Sequence, residues 1–374
     1  MANLDSIEAM KKLDPEGFLP CIQEFPDQCQ RAWNDWKHIA LPARFVQTKN
    51  ILICGMGGSA IPGSLTMNFV QNEVAIPITM WRDYGIPGFV SKDTLVIAVS
   101  VSGNTEETLD CLRKSAEKTD KLVTLSIGGD LEILSRKYKT IHYKINYTGQ
   151  PRAAVGFTLI SVLAIFSKLK LIELSDDDFQ EALVLLRALQ KKIDINIFTS
   201  SNNAKILARK LEGKIPILMG AGVMSQVARH WALSFNENAK TAAYFQEIPE
   251  MNHNALVGLE MPKLLGQKIM AIILQSRFDY PRTKIRESVM IQIFQKRRIP
   301  VETILIDPAP SPLSELLQIL FLGAYTSFYL GMINDLNPYT IEVVDFLKEK
   351  LAEKPFEDTP STSFGTSQGR PMEG

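Results

Sequence analysis

The chain has 374 residues, of which 45% are hydrophobic and 22% charged, and its 41 lysines and arginines balance 41 aspartates and glutamates. This length and composition are typical of a globular protein of two or three domains. The zero net charge argues against a broad basic surface for nucleic-acid binding, although it leaves room for a local site for one small anion. The four cysteines show no Cys-x-x-Cys spacing. We therefore expect neither a zinc site nor a disulfide framework, and a reducing cytoplasm is the simplest location.

The two ends of the chain differ from its middle. Residues 1–45 are predicted to form an N-terminal helical segment and contain no apolar stretch typical of a secretory signal. Residues 353–374 are rich in Pro, Ser, Thr and Gly and are predicted to be disordered. The longest apolar run, 315–333, approaches the length of a membrane span, but Glu315 and Gln318 interrupt it near one end. We interpret it as a buried helix and expect no membrane association.

Short apolar, β-branched runs alternate with helical stretches in both halves of the chain. Strands are predicted at 50–54, 78–81, 94–100, 121–127 and 140–145, and again at 215–220, 268–275 and 301–306. Helices are predicted near 61–69, 106–117, 153–171, 177–193, 225–234, 282–296, 313–332 and 341–351. Strands that are apolar throughout suit a parallel sheet covered on both faces.

This alternation predicts an α/β fold with two doubly wound parallel-sheet domains linked by helices. The first domain is predicted at 46–172, and a linker helix with the second domain at 173–352. Sheets of this kind bind ligands beyond the carboxyl ends of their strands. Chemistry is therefore expected in the loops that follow the strands.

The loop after the first predicted strand is rich in glycine. Residues 55–60, Gly-Met-Gly-Gly-Ser-Ala, match Gly-x-Gly-x-x-Ala, so a dinucleotide site is one interpretation. That site needs an acidic residue about 20 positions further on. The nearest candidate, Asp83, lies 28 residues beyond Gly55 and precedes Tyr-Gly, which weakens this interpretation.

The loop after the third predicted strand combines hydroxyl side chains with the start of a helix. Ser100, Ser102 and Thr105 supply hydroxyl groups, and Gly103 is expected to supply an unpaired backbone N–H. A helix N-terminus carries partial positive charge, so this loop is predicted to bind an anion. The alternative is that these side chains only cap the helix, with the glutamate at 106 or 107 completing a capping box.

These two loops carry a resemblance to a known family. The segments 55–63 (GMGGSAIPG) and 100–108 (SVSGNTEET) are similar to the sugar-isomerase (SIS) domain, which is flavodoxin-like. From about residue 50 to 351 the chain resembles the bifunctional phosphoglucose/phosphomannose isomerases of archaea and bacteria. The resemblance implies two SIS domains, a homodimer, catalysis without a metal or cofactor, and a sugar phosphate as substrate. It implies that the phosphate is held by the following residues: Gly57, Gly58, Ser59, Ser100, Ser102 and Thr105.

Two candidate catalytic residues precede or end predicted helices. Arg152 follows the fifth predicted strand, and an exposed arginine of a first helical turn is the alternative. The resemblance implies that Arg152 stabilises an enediolate intermediate. Glu237 lies in the motif Phe-Asn-Glu-Asn. Burial there would raise the pKa of its carboxyl group toward the range of a general base. An ion pair with Lys240 is equally compatible with its position. The resemblance implies that Glu237 moves a proton between C2 and C1.

A histidine and a lysine complete the predicted site. Of the four histidines, His253 lies in a polar loop between two asparagines, whereas His230 falls within a predicted helix and is interpreted as packed or solvated. The resemblance implies that His253 opens the sugar ring from the partner subunit, assisted by Lys348. The sequence departs from the family at Asn-Pro-Tyr-Thr, and it leaves open whether Tyr339 or Thr340 fills the position that tolerates the mannose epimer.

The function implied is an aldose–ketose isomerisation between glucose 6-phosphate and fructose 6-phosphate, with mannose 6-phosphate left open. A catalytically silent SIS protein that binds sugar phosphates and regulates a partner is the alternative. It would keep the phosphate loop but would have no use for Glu237 and His253. The isomerase half of a sugar-phosphate aminotransferase is a third interpretation, which residues 1–49 do not favour because they are too short for a glutaminase domain.

Overall fold

The computed structural model describes residues 3–354, and the tail predicted to be disordered lies almost wholly outside them. The chain divides into two units, with residues up to Thr340 in the first and those from Ile341 onward in the second. Both sheets belong to the first unit, whose largest hydrophobic core draws residues from both halves of the chain. The domain bounds at 172 and 173 stay a prediction.

Three helices occupy the N-terminal segment, and the third is anchored to the first sheet's helices. They are α1 (Ile7–Leu13), α2 (Phe18–Gln23) and α3 (Phe25–His38). On α3, Gln28 is fully buried, and its side-chain oxygen accepts a hydrogen bond from the Gly156 N–H at 3.2 Å. The N-terminal segment therefore packs into the core of the first unit.

The first sheet is parallel throughout and has the strand order β2-β1-β3-β4-β5. Its strands are β1 (Asn50–Cys54), β2 (Ile78–Trp81), β3 (Thr94–Val99), β4 (Leu122–Ser126) and β5 (Ile141–Lys144). Its helices are α4 (Ile61–Phe69), α5 (Glu106–Ala116), α6 (Gly129–Tyr138) and α7 (Val155–Lys168). The strand order reverses direction between β1 and β3, so a ligand crevice is expected at the carboxyl ends of these two strands.

The second sheet is also parallel and has the order β7-β6-β8-β9. Two helices precede it, α8 (Asp176–Ile193) and α9 (Asn203–Leu211). Its strands are β6 (Ile215–Ala221), β7 (Tyr244–Ile248), β8 (Ile269–Leu274) and β9 (Val301–Ile304). Its helices are α10 (Val223–Asn238), α11 (Pro281–Lys296) and α12 (Pro312–Ile333).

The α/β class with parallel sheets is confirmed, and the differences lie in short or polar elements. Three elements, β7, α6 and α9, were not predicted from the sequence. Strand β7 reads Tyr-Phe-Gln-Glu-Ile and has only one buried residue, so its own pattern does not predict a strand. It forms at the sheet edge because β6 supplies its hydrogen-bonding partners.

The apolar run near the C-terminus forms α12, which is long and apolar enough to span a membrane by length and composition alone. In this structure 94% of the most apolar 18-residue stretch of α12 is buried inside the protein. The prediction of a buried helix is therefore confirmed. The helix packs against α10, where the indole N–H of Trp231 donates to the Ile319 carbonyl at 3.0 Å. This contact fixes one helix against the other.

The second unit contains a single described helix, α13 (Glu342–Ala352), none of whose residues is buried. Lys348 lies on this helix with a side chain that is 68% exposed, and its Nζ is 3.9 Å from a carboxylate oxygen of Asp345. Exposed hydrophobic side chains of this helix include Val343, Val344, Phe346 and Leu347.

The close approach of α10 and α12 leads to a stability prediction. A methyl group at Gly323 would overlap the fully buried indole of Trp231. Gly323→Ala should therefore lower the free energy of unfolding by about 1–3 kcal/mol through overpacking, although alanine is the better helix former. Urea unfolding measures this change. The matched control is Gly258→Ala, where a methyl group meets no atom within 4 Å; equal stability of the two variants would contradict the expectation.

Candidate active site

The turn after β1 and the loop after β3 are joined by a hydrogen bond. Gly57–Ala60 forms a 3-10 turn that begins with Gly57 at a φ of 49°, in the left-handed region that glycine adopts readily. The Ser59 hydroxyl oxygen accepts a hydrogen bond from the Val101 N–H at 3.2 Å. Its own O–H is therefore directed away from the Val101 amide and can donate to a ligand.

The loop after β3 is organised by its own hydroxyl groups. The Ser100 and Thr105 hydroxyl oxygens lie 2.8 Å apart, so one donates to the other and one hydrogen remains for a ligand. The Gly103 N–H donates to the Ser100 carbonyl at 3.0 Å and to its hydroxyl at 3.1 Å. The expectation that this N–H is unpaired was wrong, because the tight turn uses it internally. Ser102 is partly exposed and accepts weakly from the Asn104 N–H at 3.4 Å.

The start of α5 leaves backbone donors without a side-chain cap. Thr105 is the N-cap residue, but its side chain makes no capping hydrogen bond. The side chain of Glu106 instead accepts from the Tyr84 hydroxyl at 3.1 Å. The capping-box alternative is therefore wrong, and the first N–H groups of the helix remain available to an anion.

The same loop is supported from behind by α6. The Leu131 N–H donates to the Gly103 carbonyl at 2.9 Å, and the Asp130 N–H donates to the Asn104 side chain at 3.0 Å. A Cβ at Gly103 would overlap the Gly128 carbonyl. The loop can approach α6 this closely only because residue 103 is glycine.

Arg152 lies in the short turn Pro151–Ala153, and its side chain is only 11% exposed. Its guanidinium donates to the side chain of Asn238 at 3.0 Å and to the carbonyls of Pro338 and Tyr339 at 2.7 and 2.9 Å. The ring of Phe18 packs on the guanidinium at 4.7 Å. Burial lowers the pKa of Arg152, while the nearby Glu237 carboxylate opposes that effect. The alternative of an exposed first-turn arginine is wrong.

Glu237 lies in the last turn of α10, and its carboxylate oxygen is 3.6 Å from Nε of Arg152. Its side chain is 28% exposed, so burial is partial. The adjacent guanidinium favours the charged carboxylate, which is the form that a general base requires. Lys240, the partner in the alternative interpretation, donates to the Asn337 carbonyl.

One cavity of about 50 Å³ connects the Gly57–Ala60 turn with the Arg152–Glu237 pair. Gly58 forms part of its wall, and a Cβ at Gly58 would lie 3.4 Å from the Arg152 Cα. One face of α10 contributes His230, Ser234 and Glu237. The remaining walls are mostly apolar and include Phe18, Ile22, Phe25, Leu233, Leu320, Phe321 and Ala324.

One predicted catalytic residue of the first unit, His253, does not line this cavity. His253 ends the short turn Glu250–His253 and is exposed. Lys348 is on α13 of the second unit. The structure therefore brings Arg152 and Glu237 together within one chain, and it leaves the roles of His253 and Lys348 as predictions.

Most residues that line the cavity were not predicted as site residues, and His230 and Phe18 are the two that matter for the site. His230 precedes Glu237 by seven residues, which places both on one face of a helix, and this spacing is the signal that could have found it. Burial lowers the pKa of His230 to about 4, so the ring is neutral at neutral pH. Phe18 stacks on an arginine 134 positions away, and no local pattern indicates such a contact.

Comparisons with known proteins agree with the fold. Residues 200–351 match the family model described as the bacterial phospho-glucose isomerase C-terminal SIS domain. A bifunctional phosphoglucose/phosphomannose isomerase of Caldicellulosiruptor bescii is 34% identical over 333 residues, which are 89% of this chain and 98% of that protein. One of Thermoplasma acidophilum is 31% identical over 303 residues, 81% of this chain and 90% of that protein.

A solved structure supports the fold independently of sequence. A hypothetical protein from Thermus thermophilus superposes with a TM-score of 0.71 at 15% identity, covering 92% of this chain and 93% of that one. At this identity the likeness concerns the fold alone. The two-sheet α/β arrangement is therefore shared with that protein.

The hydroxyl pair in the loop after β3 leads to a binding prediction. Thr105→Val keeps the side-chain shape but removes the hydroxyl that lies 2.8 Å from Ser100. Binding of inorganic phosphate should weaken about tenfold or more, the effect of losing a hydrogen bond to a charged group. Calorimetric titration measures the dissociation constant. Thr303→Val, on the exposed side of β9, is the matched control and should bind phosphate normally; unchanged binding by Thr105→Val would rule out this site.

Proposed function

Because the chain belongs to the bifunctional phosphoglucose/phosphomannose isomerase family, we propose that it interconverts glucose 6-phosphate and mannose 6-phosphate with fructose 6-phosphate. The observation that carries this proposal is the ion pair of Arg152 and Glu237 at 3.6 Å. This pair shares a cavity with Gly58 of the hydroxyl-bearing turn. A base, a fixed cation and an anion-binding turn are what an aldose–ketose isomerisation needs.

The phosphate group is held without a cluster of basic side chains. Ser59, Ser100, Ser102 and Thr105 provide hydroxyl donors, and Gly57 and Gly58 allow the backbone of the turn to approach the phosphate. The uncapped start of α5 supplies backbone N–H groups and the positive end of the helix dipole. Phosphate binding fixes one end of the sugar, so that C1 and C2 reach the carboxylate.

Ring opening precedes proton transfer. His253 moves a proton between O1 and O5 of the cyclic sugar, assisted by Lys348, and His253 is contributed by the partner subunit of a homodimer. Its exposed position outside the cavity of its own chain supports this arrangement. A monomer would then lack a complete site.

Isomerisation follows on the open-chain sugar. Glu237 removes the proton from C2, the electrons of that C–H bond form a C1–C2 double bond, and the carbonyl oxygen at C1 becomes negatively charged. Arg152 stabilises this cis-enediolate while the proton of the C2 hydroxyl passes to O1. The C1–C2 double-bond electrons then take the proton back from Glu237 at C1 as a C2 carbonyl forms, which gives the ketose. Because Arg152 already donates to several fixed acceptors, it needs little rearrangement as charge develops on the substrate.

Epimer selection is assigned to the segment beside Arg152. The Tyr339 carbonyl accepts from Arg152, and its ring lies edge-on to Phe18 at 6.5 Å. The adjacent Thr340 is our choice for the position that accommodates the mannose epimer, since the tyrosine ring is occupied by packing.

A regulatory protein without catalysis is the weaker alternative. It gives no reason for a carboxylate and a buried guanidinium to share a cavity with the phosphate turn. The four cysteines form no disulfide among the described residues, which supports a reducing cytoplasm as the location.

Removing the base tests the reaction directly. Glu237→Gln should lower kcat by about two to four orders of magnitude, the contribution of a general base, with little change in KM. Coupled assays that start from fructose 6-phosphate and detect glucose 6-phosphate and mannose 6-phosphate separately measure both activities. Glu212→Gln, which removes a carboxylate that is 40% exposed at the end of α9, is the matched control. Normal turnover in Glu237→Gln would refute the assignment.

Mixing two inactive variants tests the shared site. If His253 acts in the partner's site, each dimer of one His253→Ala chain and one Glu237→Gln chain keeps one intact site. Random assortment of equal amounts should then restore about a quarter of the wild-type activity in a two-fold dimer. Mixtures refolded together and assayed for isomerisation give the result; activity that stays at the level of the separate variants would place His253 in its own chain's site or outside the site.

A further inference from the structure

His230 is a buried polar residue that the mechanism above does not use. It is 9% exposed, and its Nδ1 atom has no hydrogen-bond partner among the described residues. A neutral imidazole has one donor nitrogen and one acceptor nitrogen, and burying either without a partner is unfavourable. This nitrogen therefore requires a partner that the protein's own groups do not supply.

The position of His230 on α10 connects it with the proposed base. His230, Ser234 and Glu237 occupy positions i, i+4 and i+7 of the helix and line the same cavity. Along the helix axis the first and last are separated by about 10 Å, at 1.5 Å per residue. Ser234 lies between His230 and Glu237 along the helix. Its hydroxyl therefore divides the distance between their side chains into two shorter distances.

The cavity is large enough to fill those gaps with water. Its volume of about 50 Å³ exceeds the roughly 10–15 Å³ that one buried water needs. We propose that His230 is a positioning residue for Glu237, acting through water molecules held between its Nδ1 atom, the Ser234 hydroxyl and the Glu237 carboxylate. The inference rests on the proposed function, because it assigns His230 to the base of that reaction.

The direction of these hydrogen bonds follows from the chemistry of the two end groups, the His230 imidazole and the Glu237 carboxylate. A carboxylate only accepts hydrogen bonds, so each water and the Ser234 hydroxyl must donate toward Glu237. In the proposed arrangement His230 carries its proton on Nδ1 and donates it to the neighbouring water. Neutral His230 can fulfil this role throughout the working pH range, since burial lowers its pKa to about 4.

The hydrogen bonds that lead from His230 to Glu237 stabilise the charged Glu237 carboxylate together with Arg152. Arg152 is the charged group that faces Glu237 from the turn Pro151–Ala153, with Tyr147, Tyr339 and Cys21 around the guanidinium. Lys240 follows the last residue of α10 by two positions. Burial alone accounts for the pKa of His230, so the effect of replacing it comes from hydrogen bonding and not from charge.

The pH dependence of the reaction tests the inference. His230→Leu removes the donor, Ser234→Ala interrupts the line with a smaller change, and His230→Asn restores an amide donor near the position of Nδ1. Loss of a donor to the carboxylate should raise the pKa of the base in the free enzyme. The acid limb of kcat/KM should then move to higher pH by about half a unit to one unit, the effect of one hydrogen bond.

A second histidine provides the control. His142 on β5 is partly buried and its Nε2 atom also lacks a partner among the described residues, but it does not line the cavity. His142→Leu should leave the pH profile unchanged. The ¹⁵N resonances of His230 in the wild-type protein give a separate readout, because the proton is expected on Nδ1.

The outcomes separate this inference from the proposed function. Displaced acid limbs in His230→Leu and Ser234→Ala, with partial recovery in His230→Asn, would support it. If wild type isomerises the sugar phosphates but the folded variants keep its pH profile, or if the proton lies on Nε2, the role of His230 is overturned and the proposed function stands. If His230→Leu does not fold, Ser234→Ala decides. An inactive wild type overturns both.

Discussion

The burial of the Arg152 guanidinium is the constraint on which the site depends. A buried cation is tolerated only when its N–H groups are hydrogen bonded, and here their acceptors come from distant parts of the chain. Asn238 belongs to α10, Gln150 precedes the turn of Arg152 itself, and two carbonyls come from 338 and 339. Satisfying one side chain therefore brings these segments together, and Glu237, next to Asn238, comes within 3.6 Å of the cation.

Core packing fixes the position of the helix that carries Glu237, the proposed base. Glu237 ends a helix that has most of its residues buried, and Trp231 of that helix is bonded to the carbonyl of Ile319 in α12. Asn238 donates to the hydroxyl of Ser327 on the same partner helix at 2.9 Å. A carboxylate carried by a packed helix moves less than one carried by a loop, which is what orientation of a substrate requires.

The loops after β1 and β3 form the proposed anion site of a chain with zero net charge. Hydroxyl groups and backbone N–H groups supply donors without adding charge, and the start of α5 supplies partial positive charge. The internal hydrogen bonds of Ser100, Gly103 and Thr105 orient these donors in advance. Little ordering of side chains then remains when an anion binds.

The sequence by itself determined the parallel α/β class, most strand and helix positions and the two loops of the proposed anion site, because these follow from local periodicity and from residues close in the chain. It also singled out Arg152 and Glu237 as candidate catalytic residues, through motifs that resemble those of a family. Only the tertiary structure decided that Arg152 is buried, that Phe18 covers it, that Gly103 uses its N–H internally and that one cavity joins His230 and Glu237 to the glycine-rich turn. These facts depend on segments more than 80 residues apart or on the closing of a turn, and neither burial nor hydrogen-bond partners at that range leave a periodic signal in the chain.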